Sequence, residues 1–164
     1  MFLLFNVMVF VAAFLLFQVE LIVAKAMLPG FGGSYLVWGV SVVVFQGLLL
    51  AGYAYAHALL GRARPRMVYV VQVLALAAAA CTFPVRIETL TMAERGLPFV
   101  VEIGSALLLT IGLAFLVLAS VSIVVQGQVA ASRLRQRDNP YMLYATSNLG
   151  SFAGLLSYPF LVEP

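Results

Sequence analysis

Five apolar runs, each close to the length a helix needs to cross a lipid bilayer, dominate the 164-residue sequence: Phe2 to Leu28, Leu36 to Leu60, Met67 to Phe83, Phe99 to about Val125, and Tyr144 to Leu161. At about 1.5 Å of rise per residue, roughly twenty residues cover the ~30 Å of a hydrocarbon core. Helix-breaking residues separate the runs. Pro29-Gly30-Phe31-Gly32-Gly33 follows the first, Gly61-Arg62-Ala63-Arg64-Pro65-Arg66 the second, Pro84 the third, and Asn139-Pro140 precedes the fifth. The expected fold is all-α: one domain over residues 1–164, a polytopic bundle of about five transmembrane helices.

Composition supports lipid as the solvent. Apolar residues make up 64% of the chain and charged residues 9%, too little polar surface to cover a soluble domain of this size. The single cysteine, Cys81, has no partner for an intramolecular disulfide and sits in an alanine-rich run, where it reads as a small packing residue. Phe2 to Phe17 has no basic segment before it and no small-residue cleavage site after it, and runs on into Gln18, Glu20 and Lys25, so it is expected to be retained rather than removed as a signal peptide. The fourth run is expected to continue from Gln126 to Arg137 as an amphipathic helix at the membrane surface, with Gly112 as a point where it can bend.

The arginines set an expected orientation. Arg62, Arg64 and Arg66 lie in one short loop and Arg133, Arg135 and Arg137 in another, on the same side of a five-helix count. That side is the cytoplasmic one by the positive-inside rule, which puts the N-terminus inside and Pro164 outside. The segment Pro84 to Pro98 balances Arg86 and Arg95 with Glu88 and Glu94 and falls on the other side. Arginines flanking membrane helices account for the net charge of +3, so no nucleic-acid partner is expected.

Charged side chains within apolar helices are costly, which singles out Glu20, Lys25 and Glu102. Lys25 is about one turn from Pro29, within reach of the interface, whereas Glu20 lies more than two turns inward. Five residues apart, the two project roughly 140° from each other and cannot form a simple intrahelical pair, while Gln18 and Lys25 share a face. Helix packing is expected to gather Glu20, Lys25 and Glu102, either as a structural ion pair or, with Gln18 and Gln46, as a ligand site. Small residues recur at spacing four in Gly47 and Ala51, Gly52 and Ala56, Ser147 and Ser151, and Gly150 and Gly154, the pattern of close helix crossings. Gln46, Gln126, Ser147 and Asn148 are expected to face the bundle or a cavity.

Three chemistries find no support. His57, the only histidine, lies near Tyr53 and Tyr55 one turn before the Arg62 loop, as an interfacial residue or a proton relay; no carboxylate pair has ligand spacing, so no metal or other cofactor is expected. Pro29 to Ser34 joins two apolar runs with no strand before it, and is no phosphate loop. No nucleophile sits beside a general base, so an enzyme is not expected.

Two blocks carry a family resemblance. The first is Phe14-Leu15-Leu16-Phe17-Gln18, Lys25, Leu28-Pro29, Gly32-Gly33-Ser34, Trp38, Phe45-Gln46 and Gly52-Tyr53-Ala54-Tyr55-Ala56-His57; the second is Gly112-Leu113, Phe115, Val117-Leu118-Ala119, Gln126, Pro140-Tyr141, Leu143-Tyr144-Ala145, Ser147-Asn148-Leu149-Gly150-Ser151, Tyr158-Pro159 and Glu163-Pro164. Together they resemble the N-terminal membrane module of bacterial fused major facilitator/spermidine synthase-like proteins. The resemblance implies a multi-helix module in the bacterial inner membrane, without the aminopropyltransferase-like domain that some members carry, so spermidine synthesis does not transfer. The chain departs where Glu20-Leu21 replaces a Gln-Pro pair common in the family, and where Ala114 and a position near Ile123 replace prolines. Straighter helices are expected from those losses.

Two functions fit the residues. One is a non-catalytic membrane subunit or scaffold that packs on other membrane subunits or on itself, favoured by a helix number low for a transporter and by an odd count without paired repeats. The other is a transporter or binding module with Gln18, Glu20, Lys25, Gln46 and Glu102 lining an outward-facing pocket for a small molecule, polyamine-like if the family label is followed.

Overall fold

The computed structural model describes residues 2–82, 98–132 and 141–162. The loop charges Arg86, Glu88, Glu94 and Arg95, the arginines 133, 135 and 137, and Asn139-Pro140 and Glu163-Pro164 lie outside the described residues. Among the described residues the protein is an all-α bundle of five long helices and one short one: α1 (Phe2–Ala26), α2 (Leu28–Phe31), α3 (Tyr35–Arg62), α4 (Pro65–Ala80), α5 (Phe99–Ala130) and α6 (Tyr141–Ser157). Three apolar segments, Phe2–Phe31, Tyr35–Arg62 and Phe99–Ala130, are long enough to cross a membrane, and α4 is a shorter apolar helix. Leu3 and Leu109 are each 76% exposed and Leu50 is 70% exposed, an outer surface suited to hydrocarbon rather than water.

Local chemistry sets the helix ends. The first apolar run breaks at Met27, and Pro29 then starts the single turn of α2, where its missing N–H costs nothing. Gly32 follows at φ +76°, a conformation that a side chain would strain. Ser34 caps α3 by accepting a hydrogen bond from the Val37 amide at 3.4 Å. Pro65 opens α4. After α6 the chain widens into a π-turn over Tyr158–Val162; Pro159 sits inside it, lacking the N–H that an α-helix would use.

The central helix is α5, with α1, α3 and α4 packed around it and α6 packed chiefly on α1, its Leu143 reaching Val121, Val125 and Val129 of α5. Contacting residues on α3 and α5 rise in number together, Val44 against Gly104, Leu48 against Gly112, Gly52 against Leu116 and Leu60 against Gly127, so these helices are parallel. The same holds for α1 and α6, where Thr146 donates to the Asn6 side-chain oxygen at 2.8 Å and Gly150 and Gly154 lie on Phe10 and Phe14. Against α5, α1 runs the other way: Phe31 meets Phe99 at one end, and Phe5 and Val9 cluster with Val125 and Val129 at the other. Chain direction thus reverses at each connection between long helices. The Arg62 to Arg66 turn lies at the end where α5 finishes and α6 begins.

Close crossings occur at three glycines. A Cβ at Gly52 would stand 2.7 Å from the Leu116 carbonyl oxygen; one at Gly150 would stand 2.5 Å from that of Phe10, and one at Gly154 2.8 Å from that of Phe14. Without side chains the helices approach backbone to backbone. Ala56 is likewise fully buried. Gly47 and Ala51 differ: both are exposed, and nothing lies within 4 Å of a Cβ at Gly47. Their expected crossing is absent within the described bundle, because the face of α3 turned to α5 carries Val37, Ser41, Phe45, Leu48, Gly52 and Ala56 instead.

Helix α5 runs on past Gln126 as far as Ala130, and residues 133–137 of the expected continuation lie outside the described residues. Up to Ala130 it belongs to the bundle, with Gln128 and Val129 buried and the Gln128 amide donating to the Pro65 carbonyl at 3.1 Å. That bond ties the end of α5 to the start of α4.

Leucine in place of Gly154 is expected to destabilise the fold by about 1–3 kcal/mol, since the carbonyl of Phe14 cannot yield as a flexible side chain can. Leucine at Gly47 is expected to leave the isolated protein unchanged. Denaturant titration in mixed micelles, followed by tryptophan fluorescence of Trp38, compares the two.

Candidate functional site

A groove of about 470 Å³ lies between α3 and α6, above the line where α1 meets α5. These two flanking helices stand apart because each is held by a different partner, α3 by α5 and α6 by α1. Along α5 the groove runs from Phe115 to Gln126, about 16 Å of helix. Its walls combine aliphatic, aromatic and polar side chains. Phe17 and Glu20 come from α1, Phe45, Gln46 and Tyr53 from α3, Ser122 and Gln126 from α5, and Tyr144, Ser147, Asn148 and Ser151 from α6.

The register of the helices fixes relative heights. Counting eleven residues inward from the Phe31–Phe99 contact brings Glu20 level with residue 110, and the Leu48–Gly112 contact brings residue 110 level with Gln46. Glu20 and Gln46 therefore share one end of the groove. Ser122, Ser147 and Asn148 lie toward the other end, because Gly150 is level with Phe10.

Hydrogen bonding divides the polar residues into two sets. In the first, the bonds tie helices together: the Gln18 amide donates to the Gly154 carbonyl at 3.0 Å and to Ser157 Oγ at 2.6 Å, and the Gln72 amide donates to Ser120 Oγ at 3.0 Å. The second set faces the groove. Gln126 donates to Ser122 Oγ at 3.1 Å and Ser151 to the Ser147 carbonyl at 3.1 Å, both within their own helices. Glu20, Gln46 and Asn148 make no side-chain hydrogen bond or ion pair among the described residues.

The residues expected to form one polar cluster are dispersed. Glu20 and Gln46 line the groove, whereas Gln18, Lys25 and Glu102 do not. Gln18 is buried against α6, Lys25 is exposed, and Glu102 is half-buried at the start of α5 with one carboxylate oxygen enclosed and unbonded. The separation follows from helical geometry, since Gln18 and Glu20 are two residues apart and point roughly 160° from each other. Gln126, Ser147 and Asn148 do face the groove, as does Ser151, which spacing alone assigned to packing. Ser122, Tyr144 and the aromatic walls carry no sequence signal separating them from ordinary core and interface residues.

His57 is exposed, beside a second hollow of about 310 Å³ formed with Ala58, Gly61 and Arg62. Among the described residues, no three His, Cys, Asp or Glu side chains gather as they would around a metal ion. Among the described residues the groove offers one carboxylate, several amides and hydroxyls, and aromatic and aliphatic side chains, a mixture able to hold a small molecule.

If water fills the groove, cysteines replacing Ser147 and Ser122 in a Cys81→Ala background should react with a membrane-impermeant thiol reagent. Cysteine replacing Leu50, on the exposed apolar side of α3, should not react. Equal labelling at all three positions would show that the groove is no more hydrated than the lipid face.

Comparison with protein-family models, with curated proteins and with solved structures yields no match to this chain.

Proposed function

We propose that the chain is a non-catalytic integral membrane subunit that crosses the bacterial inner membrane five times, N-terminus inside, and packs against further membrane helices. One observation carries this reading. The back of α3 presents Gly47, Ala51, Ala54, Ala58 and Gly61 in an unbroken 4-3-4-3 spacing; all are exposed except the half-buried Ala58. This is the same small-residue device that seats Gly52 on α5 and Gly150 and Gly154 on α1, and here the described bundle supplies no helix to meet it.

In lipid, such a face has a physical reason to attract a helix. Large side chains gain nothing by leaving hydrocarbon for a protein interface, so close backbone approach across small residues is a principal source of association. The 4-3-4-3 spacing keeps the seam straight along a helix pair, and five positions extend over about 21 Å. The seam lies roughly 145° round α3 from the groove. Occupation of one face leaves the other open.

The orientation is supported by Arg62, Arg64 and Arg66 at the turn between α3 and α4, and by the alternating direction of the long helices. The resemblance to the membrane module of fused major facilitator/spermidine synthase-like proteins supports a setting among additional helices.

Replacing Ala51 and Ala54 together by leucine should abolish co-purification of partner subunits, or of a second tagged copy, after extraction in mild detergent, and leave the subunit's own unfolding midpoint within error. A subunit that emerges monodisperse and monomeric from native membranes before any substitution would refute the reading. Cysteine at Arg64 should be labelled by an impermeant thiol reagent only from the cytoplasmic side.

A further inference from the structure

We propose that the groove between α3 and α6 is a binding site for a small organic cation bearing one positive charge, an alkyl- or arylammonium, with Glu20 as its counter-charge. The site is built from residues that the packing of the bundle leaves unused. Glu20 is half-buried more than one turn inside the end of the apolar helix α1, where a carboxylate is costly without a partner, yet none of the described residues bonds or pairs with it. Gln46, at about the same height on the opposite wall, is also unbonded and provides a second polar contact.

The charge of the site limits the ligand. Among the described residues, Glu20 is the only carboxylate in the groove and no lysine, arginine or histidine lines it, which disfavours an anion. A polyamine would carry several positive charges against one carboxylate and leave the excess uncompensated in a medium of low dielectric constant. A bare inorganic cation would fill a small fraction of about 470 Å³ and find a single charged oxygen rather than a cage. A volume in the range of about 300–1,000 Å³ suits a small organic molecule.

Shape and lining define the rest. Tyr53 and Tyr144 line the groove as exposed aromatic side chains, whereas Phe45 and Phe115 are buried against each other beneath it, their rings tilted with centroids 5.2 Å apart. The tyrosine faces suit both a cation, by attraction to the ring quadrupole, and the apolar body attached to it. Hydroxyls and an amide on Ser147, Ser151 and Asn148 receive the far end of the molecule.

Thermal unfolding of the purified full chain in detergent micelles tests the assignment with phenethylammonium and benzyltrimethylammonium as probes, and with benzyl alcohol, phenylacetate, spermidine and sodium chloride beside them. Both ammonium probes should raise the midpoint saturably, and the other four should not. Glu20→Gln should weaken the probes by tenfold or more, on the order of one charge-assisted hydrogen bond. Ser147→Phe, which fills the groove without altering its charge, should abolish the shift even if Glu20→Gln proves unstable. Ala51→Leu with Ala54→Leu should bind the probes normally, so loss of partners through the α3 seam and loss of ligand are read separately. Absence of any saturable shift, an equal shift with benzyl alcohol, retention of the shift in Glu20→Gln, or preference for spermidine or sodium would each overturn the assignment.

Discussion

Contact between glycine and a neighbouring carbonyl oxygen holds the bundle in its arrangement. Gly52 rests on Leu116, Gly150 on Phe10 and Gly154 on Phe14, at separations that leave no room for a methyl group. In hydrocarbon there is little to gain from moving a leucine out of lipid, so this closeness, with its many small dispersion contacts, does much of what an apolar core does in water. Two parallel pairs result, α3 with α5 and α1 with α6, joined where α1 meets α5. The groove is a consequence of that pairing. Each flanking helix is drawn toward its own partner, and nothing draws the two together.

Amide side chains reinforce the pairs at places where glycines do not. Gln18 ties α1 to the end of α6, Gln72 ties α4 to α5, and Gln128 ties α5 to the start of α4. Such bonds contribute about 0.6–2 kcal/mol each in membrane proteins, a modest amount beside packing, but they are directional and fix which helix meets which. The same residue type has a different role in the groove. Gln46 and Asn148 gain no such bond, and with Glu20 they collect on surfaces that helix pairing among the described residues leaves unused. The outward seam on α3 is the apolar counterpart, a packing surface whose partner helix is not among those described.

Much of this architecture was legible in the residues. Apolar run lengths gave the long helices to within a few positions, because the thickness of a bilayer and the rise of a helix leave little freedom. The first run proved harder to end: it stops at Ala26, and Pro29 then begins another turn instead of terminating the first. Gly52, Ala56, Gly150 and Gly154 were recognisable as crossing points from spacing alone. Gly47 and Ala51 have the same spacing and face outward, since spacing specifies a stripe and not the direction in which it points. Gln18, Glu20, Lys25, Gln46 and Glu102 were singled out by the cost of polar groups in lipid. That cost is the same whether a group is met by a neighbouring helix, by an interface or by a cavity, so it could not sort them.

The sequence by itself therefore determined that the chain is helical, that it is apolar enough for lipid, roughly where its long helices lie, and which small residues permit close approach. These are local properties, dictated by the solvent and by helix geometry within one segment. Only the tertiary structure decided that α5 is central, that α3 and α6 stand apart, that Gln18 binds α6, and that Glu20 and Gln46 face each other across a groove with neither Lys25 nor Glu102 beside them. The reason is rotational. A turn of 100° per residue separates neighbours in sequence onto different faces, and which face meets which helix is settled by the packing of all five long helices together.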